Sequence, residues 1–222
     1  MRFFFRIAYK GTHYRGWQRQ STAISIQEVI EDVLTKVLGV KTTIIGCGRT
    51  DAGVHAHQYY FHADIDDYPD YNLIYRLNRN LPDDISIIDI IKVSNKSHTR
   101  YDAVSRSYAY SFHTKKDPFM AEYSSYIMME SVNLNLINAS LKLLTKQTNY
   151  KHFCRTPDRH NTTICKVQKA DIIQLNSYSF RINITANRFL KSMIRIIVYR
   201  VLQVGNHKLG LTDFESYFTS EN

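Results

Sequence analysis

The chain has 222 residues, 44% of them hydrophobic, and 29 Lys and Arg residues against 20 Asp and Glu residues give it a formal net charge of +9. This length suits one large domain or two small packed domains with a sizeable core, and the content of eight Gly and four Pro argues against a disordered chain. The positive charge favours a polyanionic partner, because Lys and Arg neutralise phosphates and release counterions.

The first half of the sequence predicts the order strand, helix, strand, strand, short helix and strand, ending near residue 93. Apolar side chains alternate from Phe3 to Tyr9, as on a strand with one buried face. Between Ile26 and Leu38 the apolar residues recur at helical spacing, and Ser25 stands where an N-cap is expected.

The second half predicts the order strand, helix, strand, strand and helix. Period-two alternation covers 106–112 and 180–186, whereas helical spacing covers 134–144 and 190–202, with Gly205 as the stop signal of the last helix.

The first half thus has the βαββαβ pattern of a ferredoxin-like unit, and the second half has the same order without the closing strand. The expected fold class is α+β, with halves at 1–97 and 98–222 that form a broad antiparallel sheet with a central cleft. A cleft of this kind is the usual place for a binding site.

The apolar segments do not resemble targeting or membrane segments. Arg6 and Lys10 interrupt the N-terminal one too early for a signal peptide, and Arg195 and Arg200 interrupt the C-terminal one. The cysteines suggest no paired framework and indicate a reducing, cytoplasmic setting; they are Cys47, Cys154 and Cys165.

Basic residues gather in three places, at 115–116, 151–160 and 188–200, and not in a tail. A solvated surface explains any one of these clusters equally well. Taken as a set they favour a nucleic-acid partner.

The most distinctive segment reads Gly-Cys-Gly-Arg-Thr-Asp-Ala-Gly-Val-His over residues 46–55. Three glycines within eight residues, between two predicted strands, predict a tight loop whose backbone comes close to another group. The loop carries Arg49 and Asp51. On its own, Asp51 is better explained as the cap of a turn at Ala52 and Gly53, so the interpretation depends on the rest of the chain.

An upstream loop over residues 9–20 favours a functional interpretation of Asp51 over the turn cap. It contains the single Trp of the chain, Trp17, among glycines, arginines and glutamines. Aromatic and Arg side chains on a loop suit stacking on unpaired bases and contact with phosphates, so Trp17, Gln18 and Gln20 are candidate RNA-binding residues.

These two loops together resemble the tRNA pseudouridine synthases of the TruA type. Three further segments match that family in the right order and extend the resemblance over nearly the whole chain. They are Leu77-Asn78 with Leu81-Pro82 and Asp84-Ile85, the segment His98–Tyr110, and the segment Ala186–Arg195.

The resemblance implies the pseudouridine synthase fold and a set of site residues. Asp51 would be the catalytic carboxylate, Arg195 would pair with it, Tyr108 would lie against the target base and Arg49 would help to hold the flipped nucleotide. Further RNA-binding candidates come from the matching segments; they are Arg106, Asn187 and Arg188.

The family resemblance also implies a reaction and its partners. The expected activity converts uridine to pseudouridine in the anticodon stem-loop of tRNA, at positions 38 to 40, and the expected assembly is a homodimer. No metal or redox cofactor is expected, because the isomerisation neither gains nor loses electrons or groups. It needs an ionised carboxylate as nucleophile or charge stabiliser, a guanidinium that keeps the carboxylate charged and a flat wall for the base. The sequence leaves open whether Asp51 attacks the sugar or the pyrimidine.

Other interpretations exist for single residues. Tyr108 shares its strand face with Tyr110 and Phe112 and could be a core residue, and Arg195 could belong to a solvated basic edge. A metal site is a weak interpretation of the histidines, because no Cys-x-x-Cys or deaminase pattern is present; they are His55, His57 and His62, next to Cys47.

The end of the chain departs from the family pattern, which continues through another helix and a closing strand. We expect the second half to lack that strand and to expose a sheet edge. The alternative function is therefore a non-catalytic RNA-binding or tRNA-folding protein that is inactive because of its short C-terminus.

Overall fold

The computed structural model describes residues 1–219. These residues form two compact units, the first comprising Met1–Ala103 and the second beginning at Val104. Each unit has its own hydrophobic core. Within the described residues, no helix is both long enough and apolar enough to cross a membrane.

The first unit contains four strands and two helices in the predicted order. They are β1 (Arg2–Tyr9), α1 (Ile26–Leu38), β2 (Ile45–Gly46), β3 (Ala56–Asp64), α2 (Leu73–Asn80) and β4 (Ile85–Val93). The sheet order is β2-β3-β1-β4, and each neighbouring pair is antiparallel. The βαββαβ succession predicted for this half is confirmed.

Local signals explain why these elements form. Alternate residues of β1 are buried, and Phe5 stacks on Phe61 of β3 with ring centroids 4.7 Å apart. The Ser25 hydroxyl accepts a hydrogen bond from the Glu28 amide at the start of α1, and Gly39 ends the helix at a φ of 72°, a left-handed conformation that glycine adopts at little cost.

The second unit contains four strands, three α-helices and two 3₁₀ turns. They are β5 (Arg106–His113), β6 (Ser125–Tyr126), α3 (Leu134–Leu144), the 3₁₀ turns Lys151–Phe153 and Pro157–Arg159, β7 (Val167–Gln174), β8 (Ser179–Ala186), α4 (Met193–Gly205) and α5 (Leu211–Thr219). The sheet order is β6-β5-β8-β7. The short β6, which was not predicted, pairs with β5 in parallel over two residues, while the other pairs are antiparallel. The α+β class is confirmed.

Helix α5 is attached to the second unit by aromatic packing. Phe218 stacks on Phe153 with ring centroids 4.6 Å apart, and Phe214 is fully buried. The Arg200 guanidinium lies 3.5 Å from the ring centroid of Tyr217 and 4.8 Å from that of Phe153.

This position corrects the sequence interpretation of Arg200, which placed it in an RNA-binding cluster. One of its terminal nitrogens is buried and has no hydrogen-bond partner among residues 1–219, and burial lowers the pKa of the guanidinium. The side chain therefore contacts α5 through cation–π interactions, and this nitrogen is not accessible to a phosphate.

Candidate functional site

The Asp51 loop connects β2 to β3 and is held by hydrogen bonds on both sides. At its start, the Tyr59 hydroxyl bonds to the Gly48 backbone, and the Cys47 amide donates to the Tyr60 carbonyl over 2.8 Å. Beyond Asp51, the Val54 amide donates back to the Asp51 carbonyl over 3.3 Å. The turn predicted at this residue therefore exists.

The upstream loop packs directly on the Asp51 loop. The Trp17 amide donates to the Thr50 carbonyl over 3.2 Å, and the Gly53 amide donates to the Tyr14 carbonyl over 3.3 Å. The hydroxyls of Tyr9 and Thr50 lie 3.0 Å apart. The two loops thus form one structure in which movement of either one displaces the other.

Two glycines permit this close packing. Gly16 has a φ of 87°, and a Cβ atom there would overlap the Thr50 carbonyl oxygen. A Cβ atom at Gly11 would overlap the Val54 carbonyl oxygen, and the Gly11 amide donates to Nδ1 of His55 over 3.0 Å. The backbone of the Asp51 loop therefore does come close to another group, as predicted, but the glycines that permit this approach belong to the upstream loop and not to the spacing that predicted it.

Trp17 does not fit the predicted base-stacking role. Its side chain is 3% exposed and packs on Tyr59 with ring centroids 4.2 Å apart and on Phe61 at 6.2 Å. It is a core residue below the loop, and stacking on RNA would require its removal from the core.

The other residues of the upstream loop divide into exposed and paired groups. Gln18 and Gln20 are exposed, and the Gln20 side-chain amide donates to the Arg15 carbonyl over 3.0 Å. Arg19 is bound to the acidic face of α1. Its partners are Glu28 at 3.7 Å, Glu31 at 3.1 Å and Asp32 at 3.5 Å.

Arg49 and Asp51 are exposed side chains on the first unit. They project from a loop whose backbone is fixed at Gly48, Thr50 and Gly53. A carboxylate on a fixed support is pre-organised for chemistry, because little reorganisation is then needed at the moment of reaction.

In the second unit, β5 and the segment after β8 bring four of the predicted residues to one end of the sheet: Arg106, Tyr108, Asn187 and Arg188. Tyr108 is half-buried and meets Phe189 edge to face, with ring centroids 5.1 Å apart. The Arg106 guanidinium donates to the Asn187 carbonyl over 3.0 Å, and the Asn187 side chain accepts from the Lys166 amide over 2.8 Å. Asn187 therefore has a structural role in joining segments.

Arg195 lies in the first turn of α4 and is exposed. Ser192, just before this helix, has a φ of 63°, an uncommon conformation for a residue other than glycine. Such conformations concentrate at functional sites.

The structure also joins two basic clusters that are distant in sequence. The Arg155 amide donates to the Lys191 carbonyl over 3.2 Å, so the segment with the 3₁₀ turns lies beside the start of α4. Both side chains are exposed. The two basic segments are therefore adjacent in the second unit.

The histidines next to the Asp51 loop have packing roles. His55 accepts the Gly11 amide, as described above, and His62 is 2% exposed with its Nδ1 atom 2.9 Å from the Thr99 hydroxyl. Within residues 1–219, no three His, Cys, Asp or Glu side chains are grouped so that they could hold a metal ion.

Sequence reasoning missed Tyr14, Tyr59 and Arg15. Tyr14 is buried, and its hydroxyl donates to Asp84 over 2.6 Å; burial and this bond raise the pKa of Tyr14. Arg15 is an exposed side chain of the upstream loop, from which sequence reasoning selected Trp17, Gln18 and Gln20 instead.

Comparison with known proteins agrees with the resemblance seen in the motifs. A sequence profile described as tRNA pseudouridine synthase matches residues 146–222. Curated relatives named tRNA pseudouridine synthase A match over all of this chain. The relative from Bacteroides fragilis is 38% identical with 88% of its own length covered, that from Porphyromonas gingivalis 37% with 89%, and that from Staphylococcus aureus 29% with 84%. The chain belongs to the tRNA pseudouridine synthase A family.

Proposed function

We propose that this chain converts uridine to pseudouridine in tRNA, with Asp51 as the catalytic nucleophile. The observation that carries the proposal is the exposed Asp51 carboxylate on a loop that hydrogen bonds fix at Gly48, Thr50 and Gly53. A nucleophile must be held within a fraction of an ångström of its productive position. The full-length match to relatives named for this activity supports the same reaction.

The proposed reaction balances without another reactant. The bond between N1 of uracil and C1′ of ribose breaks, the base turns, and a bond forms between C5 and C1′. C5 loses its proton and N1 carries one in the product, so no electrons enter or leave. The protein has to supply a charged nucleophile, a place for the extruded base and a route for one proton.

We assign the remaining roles to the residues implied by the family resemblance. Tyr108 lies against the base and offers a hydroxyl for proton transfer, which Phe at this position would lack. Arg49 holds the flipped nucleotide, and Arg195 is the proposed partner of Asp51. The proposed targets are uridines at positions 38 to 40 of the anticodon stem-loop.

We also propose a homodimer that acts in the cytoplasm. The dimer follows from the family resemblance, and the three free cysteines fit a reducing compartment. Light scattering during gel filtration tests the assembly, and a monomer at micromolar concentration in the presence of tRNA would contradict it.

The test of the reaction is tritium release from unmodified tRNA that carries uridine labelled at C5. The wild-type protein, in buffer with a chelator and no cofactor, should release tritium, and Asp51→Asn should be slower by about 10⁴-fold or more. Asp83→Asn, which removes an exposed carboxylate elsewhere on the first unit, is the matched control and should behave like the wild type.

Two further measurements separate this proposal from the alternative. A tRNA with cytidine at positions 38 to 40 should release no tritium if these uridines are the targets. A wild-type protein that binds tRNA tightly and salt-dependently but releases no tritium from any tRNA would overturn the enzyme proposal, and would leave a non-catalytic RNA-binding protein.

A further inference from the structure

A cleft of about 410 Å³ lies beside the Asp51 loop, at the surface where the two loops of the first unit meet. Its lining comes from one run in each loop: Thr12, His13, Tyr14 and Arg15 from the upstream loop, and Ala52 and Gly53 from the Asp51 loop. Ala52 follows Asp51 directly, and consecutive Cα atoms are about 3.8 Å apart. The cleft therefore starts next to the proposed nucleophile.

Hydrogen bonds fix both walls of this cleft. The Tyr14 hydroxyl is anchored to Asp84 over 2.6 Å, and its carbonyl accepts the Gly53 amide over 3.3 Å. The Arg15 amide donates to the Ile24 carbonyl over 3.0 Å. The backbone beneath Arg15 is thus held in place, so its side chain starts from a defined position.

The charge of the cleft is positive and is not neutralised by the protein. Arg15 is exposed and forms no ion pair within residues 1–219, whereas Arg19, four residues later, is bound to three carboxylates. His13 is also exposed and can donate a hydrogen bond. The opposite wall carries only the methyl group of Ala52 and the backbone of Gly53, which leave room for a close approach by a ligand.

We propose that this cleft binds the sugar-phosphate backbone of the nucleotide next to the target uridine, with Arg15 as its phosphate contact. The inference rests on the proposed function, because it takes the ligand to be tRNA. A guanidinium binds phosphate oxygens through two parallel hydrogen bonds. A flipped base needs its flanking backbone held while it leaves the stack, and a basic cleft adjoining Asp51 is placed to do this.

The experiment compares Arg15→Ala with the wild type in tRNA binding over a range of KCl concentrations. A lost phosphate contact should reduce the slope of log Kd against log salt by about 0.7 to 0.9 and should weaken binding by about tenfold near physiological salt. Arg79→Ala removes an exposed Arg of α2 in the same unit, which forms no ion pair within residues 1–219; it is the matched control and should leave slope and affinity unchanged. Arg15→Lys should keep most of the slope.

Kinetics give a second measurement on the same variants. Loss of a contact to the flanking backbone should raise KM while kcat changes little, because that contact is made equally before and during reaction. An Arg15→Ala protein with the slope and the affinity of Arg79→Ala would overturn the inference, whatever its activity.

The outcomes distinguish this inference from the proposed function. A reduced slope in Arg15→Ala, together with a wild-type protein that releases no tritium, would support the cleft as an RNA site and refute the isomerase proposal. Tritium release by the wild type, together with an unchanged slope in Arg15→Ala, would support the isomerase proposal and refute the cleft as an RNA site.

Discussion

Replacement of Gly16 by Ala tests whether the upstream loop sets the position of Asp51. Gly16 has a φ of 87°, and an added Cβ atom would overlap the Thr50 carbonyl oxygen and lie 3.1 Å from the Asp51 carbonyl carbon. These are backbone atoms of the Asp51 loop, so relief of the overlap has to move the loop itself.

The expected magnitude has two parts. The left-handed backbone conformation costs an Ala residue about 1–2 kcal/mol relative to Gly. Restoring ordinary contact to Thr50 requires a shift of about 1 Å, and a misplacement of that size can lower a catalytic rate by about 100-fold. Gly16→Ala should therefore lose a modest part of the free energy of unfolding and most of its activity.

Gly39→Ala is the matched control for this variant. Gly39 has a φ of 72°, but a Cβ atom there would meet nothing within 4 Å. It should show the conformational loss of stability without the loss of rate. Urea denaturation measures stability, and single-turnover tritium release at saturating protein measures the chemical step.

The result that would refute this reasoning is a Gly16→Ala protein that reacts as fast as Gly39→Ala at equal folded fraction. The Asp51 loop would then hold its geometry without support from the upstream loop. A Gly16→Ala protein that loses stability but keeps the rate of the chemical step would lead to the same conclusion.

Three further predictions concern pH and salt. Burial raises the pKa of the Cys165 thiol to about 11. The contribution of this thiol to the free energy of unfolding is therefore present below about pH 9 and is lost as the pH rises towards 11, by about 1.4 kcal/mol per pH unit. Urea denaturation should show this pH dependence, and Cys165→Ala should remove it. Burial lowers the pKa of His62, so its contribution to the free energy of unfolding is present above about pH 6.5 and is lost as the pH falls through the folded-state pKa. In thermal unfolding, His62→Asn should reduce the loss of stability at acidic pH. An unchanged loss would show that another group titrates. A protein with both Arg155→Ala and Lys191→Ala should lose about 1.4 to 1.8 from the salt slope of tRNA binding, while Lys142→Ala on α3 should lose none.

The elements of the first unit could be predicted because their signals are local. The alternation in β1 and the Ser25 cap of α1 each involve residues within a few positions of each other. By contrast, β6 has two residues, which is too short for a periodic pattern. Gly205 was interpreted as a helix stop, but a Cβ atom there would lie 2.5 Å from Ile137 of α3, so its reason is the close approach of two helices that are distant in sequence.

The direction of a side chain explains the corrections at Trp17 and Arg200. Each residue lies in a segment that is also basic and polar, and composition alone favoured RNA contact for both. Tertiary packing decides otherwise, because Trp17 faces Tyr59 in the first core and Arg200 faces Tyr217 of α5. Neither partner can be identified from the neighbouring sequence.

The candidate site, too, could be predicted from the sequence only in part. The glycine spacing located the Asp51 loop, since a tight loop requires glycine at particular positions. The sequence alone does not distinguish Arg15 from Arg19, since both are arginines in the same basic loop. In the structure Arg19 is paired with carboxylates and Arg15 is not, because the acidic residues of α1 lie against Arg19. Which cation remains available to a ligand is therefore a property of the folded chain.

The aromatic core of the first unit and the geometry of the Asp51 loop depend on the same residues. Trp17 and Tyr59 pack on each other in the core, yet the Trp17 backbone holds Thr50 and the Tyr59 hydroxyl holds Gly48. A Cβ atom at Gly46 would overlap both aromatic side chains, so even the entry to the loop is shaped by them. Since core side chains are close-packed and transmit strain, we expect a change in this core to displace Asp51, the proposed nucleophile.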